Sequence, residues 1–242
     1  DLFFGLCYSD SRISEGEICM EWNRLLHVQR GVTAIIGSGG KTTLMYTLAD
    51  ELSTDGRVIV CTTTHIFPPE HIPYLLAPER GAVRAALQDH SVLCVSAGTE
   101  RGKLLPPNLS FSELTQLADY VLVEADGSHR RPAKAHAPSE PVVPPEAGQT
   151  VCVFGLSALG QPLREGMHRA ELGAQKLGVS PDEILTPELA ARLLRQEGLS
   201  SCFLLNQADT PERAQLGENM AAKLGCPVCI GSLQRGILKC LY

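Results

Sequence analysis

The sequence predicts a three-layer α/β sandwich, a mostly parallel central sheet with helices packed on both faces. Three observations carry that prediction. After residue 20, short β-rich runs alternate with amphipathic helical segments. The strand candidates are almost continuously apolar, as in Val58-Ile59-Val60-Cys61 and Tyr120-Val121-Leu122-Val123, the habit of strands buried on both faces. The first of them leads through Gly37-Ser38-Gly39-Gly40-Lys41-Thr42-Thr43 directly into a helical segment.

Taken in order, a strand is expected at 32–36 and a helix at 41–52, where Leu44, Met45, Leu48 and Ala49 fall on one face. Strands at 57–62, 91–96 and 119–124 follow, separated by helices at 79–89 and 111–118. The last part reads as strands at 150–154, 201–205 and 227–231 with helices at 168–177, 186–197 and 211–224. Residues 127–148 break the rhythm, because Pro132, Pro138, Pro141, Pro144 and Pro145 exclude a long helix or a central strand. So long a loop, leaving the end of a strand, suits a ligand site. Residues 1–19 show no periodicity and read as an extension ahead of a single domain at 20–242.

Composition narrows the class. The chain has 242 residues, 44% of them hydrophobic and 20% charged, enough for a sizeable core. Its net charge of −6 and the lack of a long Lys/Arg run exclude a bulk electrostatic case for nucleic acid or an anionic membrane. No apolar stretch is long enough to cross a bilayer, and the first residues lack the order of a secretory signal, so the cytoplasm is expected. Nine cysteines could suggest a disulfide scaffold, but Cys61, Cys94, Cys152 and Cys202 fall within apolar strands and read as buried thiols. Cys226-Pro227-Val228-Cys229 is formally a C-x-x-C pair. With no second pair it reads as a turn before the final strand.

The glycine-rich turn has the chemistry of a phosphate cradle. Gly37, Gly39 and Gly40 let the backbone approach a polyphosphate, and the helix start offers N–H groups from Ser38 through Thr43. Lys41 would reach the β- and γ-phosphates of ATP or GTP, and Thr42 would supply a hydroxyl to Mg²⁺. The spacing is shorter than the standard P-loop, since Gly37 and Gly40 enclose only Ser38 and Gly39. This form resembles the loop of Mur-type and folylpolyglutamate-type ligases. The plain alternative is a structural turn with a solvated lysine.

Four further places belong with the loop. Glu124, closing an apolar strand, is the first choice for the Mg²⁺ carboxylate. Asp126 is the second, or a group that positions or deprotonates a nucleophile. Arg130 and Arg131, within a basic cluster that includes His129, Lys134 and His136, could neutralise charge on a transferred phosphoryl group or bind an anionic substrate. Thr63, Thr64 or His65 could contact the γ-phosphate or Mg²⁺, although threonines also suit strands on propensity alone. Asn206-Gln207-Ala208-Asp209 is close to N-K-x-D, in which the aspartate reads guanine. Alternatively, Asn206 turns the chain and Asp209 or Thr210 caps the next helix.

The segments Ile35–Leu44, Cys61–Phe67, Val123-Glu124-Ala125-Asp126-Gly127-Ser128, Lys134–Pro141, His168-Arg169 and Leu205–Asp209 together resemble the YqeC family, accessory proteins of selenium-dependent molybdenum hydroxylases. Gln207 stands where a lysine is expected. The resemblance implies a P-loop NTPase-like fold and a part in maturing a molybdenum enzyme, with that hydroxylase or its cofactor-maturation proteins as partners. The expected activity is Mg²⁺-dependent binding and hydrolysis of a nucleoside triphosphate. A small-molecule kinase or Mur-like ligase, and a non-catalytic nucleotide-gated scaffold, are the competing expectations.

Overall fold

The computed structural model describes residues 21–241; the expected extension at 1–19 lies outside them. In the first half, α1 (Trp22–Leu25), β1 (Gly31–Gly37), α2 (Lys41–Leu52), β2 (Val58–Thr62), β3 (Tyr74–Leu76), α3 (Arg80–Asp89) and β4 (Val92–Ser96) follow one another. The small hairpin β5 (Thr99–Glu100) and β6 (Lys103–Leu104), α4 (Phe111–Leu114), β7 (Tyr120–Glu124), β8 (Ala133–Lys134) and β9 (Ala147–Gly155) come next. The second half holds α5 (Leu163–Gly166), β10 (Met167–His168), α6 (Ala170–Leu177), α7 (Pro187–Glu197), β11 (Cys202–Asn206), α8 (Pro211–Leu224), β12 (Val228–Ser232) and β13 (Ile237–Leu241).

Nine strands form one sheet in the order β13-β12-β11-β9-β1-β7-β2-β4-β3, parallel throughout except for β13 against β12. Alternation along the strands divides the core. Ile35, Val58, Val60, Leu122, Val153 and Leu204 face the apolar side of α2, including Leu44, Met45 and Leu48. Ile36, Phe154 and Leu205 point the other way, toward α6, α7 and α8. On that same face, Ile59, Val121 and Val123 meet Val83 and Leu87 of α3 and Leu114 of α4. Helices therefore cover both faces, the three-layer α/β arrangement expected of a P-loop NTPase-like fold.

Two expected helices are shorter than the sequence pattern suggested. The helix over 111–118 ends at Leu114, where Leu117 and Ala118 both donate to the Leu114 carbonyl in a closing turn before β7. The helix over 168–177 begins at Ala170, because His168 pairs with Lys134 in a two-residue parallel bridge and Arg169 takes a left-handed backbone. Cys61, Cys94 and Cys152 are buried in strands, and burial pushes the Cys94 thiol up to about 12. Cys229 lies in β12 with its sulfur against the Leu25 carbonyl, the strand role expected for that half of the C-x-x-C pair. Among the described residues no helix is long and apolar enough to cross a membrane.

The register aligns the C-terminal ends of the central strands. Ile35 of β1 and Thr62 of β2 flank Glu124, while Gly37 stands opposite Val153 and Gly155 opposite Asn206. Ligands of open parallel sheets bind along this edge.

Candidate functional site

The loop between β1 and α2 closes tightly on the structure beneath it. Gly37 and Gly39 have φ of +89° and +85°, where a side chain is strained. Space excludes one as well, since a Cβ on Gly39 would lie 2.5 Å from Gly155 Cα and one on Gly37 would lie 2.2 Å from the Val153 carbonyl oxygen. The Ser38 amide donates to that Val153 carbonyl at 2.8 Å, and the buried Ser38 hydroxyl donates to the Arg131 carbonyl. Glycine here answers both the backbone sign and the close approach.

A cavity of about 920 Å³ opens above the loop. Gly39, Gly40, Lys41, Thr42, Thr43 and Glu124 form one side of it. Thr63, Thr64, His65, Arg130, Arg131 and Gln207 also line it. The structure thus gathers the expected loop, acid, arginines and second-strand threonines around one space. Gly37, Ser38, Asp126, Asn206 and Asp209 are not on its wall.

Thr42 and Glu124 form the core of the site. Thr42 Oγ1 donates to Glu124 Oε2 at 2.6 Å, which brings two hard oxygen donors from different elements together at the cavity edge. Burial raises the Glu124 carboxyl above its ordinary value, against the opposing Lys41 charge and Thr42 hydrogen bond. Mg²⁺ takes few protein ligands and fills its shell from water and phosphate. The hydroxyl and carboxylate fit that ion, and Thr42 with Glu124 would hold it.

Lys41 is buried against its own loop. Its Nζ donates to the Gly37 carbonyl at 2.8 Å and to Ser128 Oγ at 3.3 Å, and stands 3.2 Å from Asp126 Oδ1 and 3.8 Å from Glu124 Oε1. The ammonium therefore sits where the loop, the end of β7 and the start of the proline-rich segment meet.

Asp126 lies beneath the loop, fully buried. Its Oδ2 accepts from the Gly37 amide at 2.9 Å and from His136 Nε2 at 2.8 Å, with Lys134 Nζ at 3.2 Å. Burial alone would raise this carboxyl. The His136 hydrogen bond, the charges of Lys41 and Lys134 and the Gly37 amide outweigh it and hold the group at about 2. Asp126 is thus placed to fix the loop and Lys41.

Sequence reasoning missed how far this network extends. His136 Nδ1 lies 2.7 Å from Glu197 Oε2, whose other oxygen accepts from Lys176 Nζ at 2.6 Å. Lys134 Nζ lies 2.6 Å from Glu140 Oε2, and Arg169 pairs with both Glu140 oxygens. Both ring nitrogens of His136 face carboxylates, an arrangement satisfied by the imidazolium, which alone has two donors. Burial opposes that charge, yet Asp126 and Glu197 raise the group above its ordinary value. The available signal was the Lys134…Glu140 and His168-Arg169 pattern; Glu197, 61 residues beyond His136, carries none.

The N-K-x-D-like segment divides into two roles. Asn206 Nδ2 donates to the Gly39 carbonyl at 2.8 Å and its Oδ1 accepts from the Leu233 amide at 3.1 Å, tying β11 to the loop and to the end of β12. Asp209 accepts from Ser232 Oγ at 2.7 Å and from Arg213 Nη1 at 3.2 Å, and borders a separate cavity of about 300 Å³ with Thr210 and Pro211. The helix cap is Thr210, whose side chain accepts from the Arg213 amide, with Pro211 in the first turn. Gln207 reaches the main cavity, its Oε1 accepting from Ser157 Oγ at 2.6 Å.

The family profile described as YqeC protein matches residues 33–171, more than half of the chain and the stretch that carries the loop, Glu124, Asp126 and the proline-rich segment. The chain belongs to the YqeC family. It is 33% identical over 162 residues to a relative described as "Uncharacterized protein YqeC" from Escherichia coli (strain K12). That alignment covers 64% of this chain and 63% of the relative, so less than two thirds of the relative's length is matched. Within the family match lie all of the residues named above for the larger cavity except Gln207.

Proposed function

We propose that this YqeC-family chain binds a Mg²⁺-complexed nucleoside triphosphate, ATP or GTP, along the C-terminal edge of the sheet and cleaves its γ-phosphoryl bond. The observation that carries the reading is the 2.6 Å contact between Thr42 and Glu124 at the mouth of a strand–glycine loop–helix unit. Amides of Gly39 through Thr42 and the Lys41 ammonium would hold the phosphates. Thr42 and Glu124 would hold the metal, which supplies charge neutralisation when bound.

The remaining residues divide the work. Arg130 stays at the cavity mouth, its guanidinium carbon 5.7 Å from the Phe67 ring centroid. There it can approach the γ-phosphate and stabilise charge developing on it. The Arg131 guanidinium instead donates to the Glu165 carbonyl, which anchors the proline-rich segment to α5. Asp126 acts through Lys41 and the Gly37 amide as a positioning residue. The family resemblance extends the reading to an accessory role in maturing a selenium-dependent molybdenum hydroxylase, with turnover timing the encounter between that enzyme and its cofactor-maturation proteins.

Phosphate release from Mg·ATP and Mg·GTP, compared with Glu124→Gln, tests the reading. Release lost in the variant supports it, and equal release by both proteins contradicts it. A second reading, transfer to a small-molecule acceptor, is favoured by one observation. The cavity continues past the loop to Thr63, His65 and Phe67, further than phosphate binding alone requires.

A further inference from the structure

That outer part of the cavity has a composition of its own. Phe67 is 55% exposed although it lines the cavity. Lys103 Nζ lies 5.0 Å from its ring centroid and the Arg130 guanidinium 5.7 Å. Among the described residues neither cation is in an ion pair. An exposed aromatic ring with two cations over it, both outside any ion pair among the described residues, suits a flat anion in a protein of net charge −6.

The backbone contributes independently. His129 and Arg130 are consecutive left-handed residues, with φ of +49° and +59°. Neither is glycine, so the segment holds a sparsely populated conformation while both side chains line the cavity. His129 stacks on His168 with ring centroids 4.7 Å apart. Burial, reinforced by the nearby His129, Arg169 and Lys134, lowers His168 to about 4.

We infer that Phe67, Lys103 and Arg130 form a second-substrate subsite for a planar aromatic anion, a ring bearing a phosphate or carboxylate, beside the triphosphate. The inference rests on the nucleotide reading of the loop and gives that reading an acceptor class. Phe67 offers its exposed surface to the ring, Lys103 holds the anionic group, and Arg130 is shared between that group and the γ-phosphate. At about 920 Å³ the cavity lies near the upper end of the range for small-molecule sites, and has room for both ligands.

Flavin mononucleotide is a suitable probe, because its flat ring carries a phosphate on a short ribityl chain and its fluorescence is quenched by stacking. It would be titrated into the protein with and without a saturating non-hydrolysable Mg·triphosphate analogue, in wild type, Phe67→Ala and Lys103→Ala. The expected result is binding that persists with the analogue present and weakens about tenfold in each variant, with analogue affinity unchanged. Riboflavin, which lacks the phosphate, should bind about tenfold more weakly than the mononucleotide. Displacement of the probe by the analogue, or equal affinity in all three proteins, would overturn the inference. Probe binding that needs Phe67 and Lys103 in a protein that takes up no analogue would keep the planar-anion site and remove the nucleotide reading.

Discussion

Thr42 Oγ1 lies 2.6 Å from Glu124 Oε2, joining the first turn of α2 to the end of β7. If this pair holds Mg²⁺, removing either oxygen should weaken metal-dependent nucleotide binding without unfolding the chain. Thr42→Ala and Glu124→Gln are each expected to raise the Mg²⁺ concentration needed for half-maximal binding by about tenfold or more. Magnesium titration at fixed nucleotide checks this, and unchanged midpoints would show that the pair is structural.

Asp126 is expected to be a stability residue as well as a positioning one. Replacing it with alanine leaves Lys134, whose side chain is fully buried, short of one of its two carboxylates. Breaking such a buried pair costs about 3–5 kcal/mol. Urea unfolding of Asp126→Ala measures the loss, and a change near zero would mean that water or Glu140 satisfies Lys134.

The same network sets the response to pH. His136 is raised above 6.5 in the fold, so its contribution is complete below that value and is lost as pH rises through the folded value. Wild-type protein should therefore lose stability on the alkaline side, and His136→Gln should flatten that slope. On the acid side, Asp126 falls from 3.8 to about 2 and Glu140 from 4.5 to about 2. Their contribution is present above the unfolded values and disappears as pH falls toward about 2. Urea midpoints from about pH 3 to about pH 9 read both limbs, and a His136→Gln profile parallel to wild type would refute the imidazolium assignment.

Gly39 offers a check on the loop itself. Gly39→Ala forces a left-handed side chain to within 2.5 Å of Gly155 Cα, so the variant should lose about 1–3 kcal/mol of stability. It should also bind nucleotide more weakly, because the loop must move. Normal stability together with normal binding would mean that the loop adopts another shape.

Much of this was legible from local pattern. β1, the glycine loop and α2 are consecutive in the chain, so hydrophobic period and glycine placement are enough to find them. Glu124 was legible because a carboxylate ends an apolar run. The edge strands β3 and β13 were not, since three exposed or half-exposed residues at Tyr74–Leu76 and an antiparallel return at Ile237–Leu241 carry little periodic signal. The bridge between β8 and β10 spans more than thirty residues, and only two residues pair on each side. The burial of Asp126 was not legible, because residue type and spacing cannot distinguish an exposed carboxylate from a buried one. Its partner His136 is ten residues away, and the second partner of that histidine, Glu197, comes from a distant helix.

Nucleotide binding by the glycine loop should depend on Lys41, whose ammonium lies against the Gly37 carbonyl. Equilibrium titration of fluorescent guanine and adenine triphosphate analogues in Mg²⁺, on wild type and Lys41→Ala, tests it most directly. Wild type should bind at least one analogue saturably, and the variant should lose about tenfold or more in affinity. Equal affinity in the two proteins, or binding of neither analogue by wild type, would contradict it.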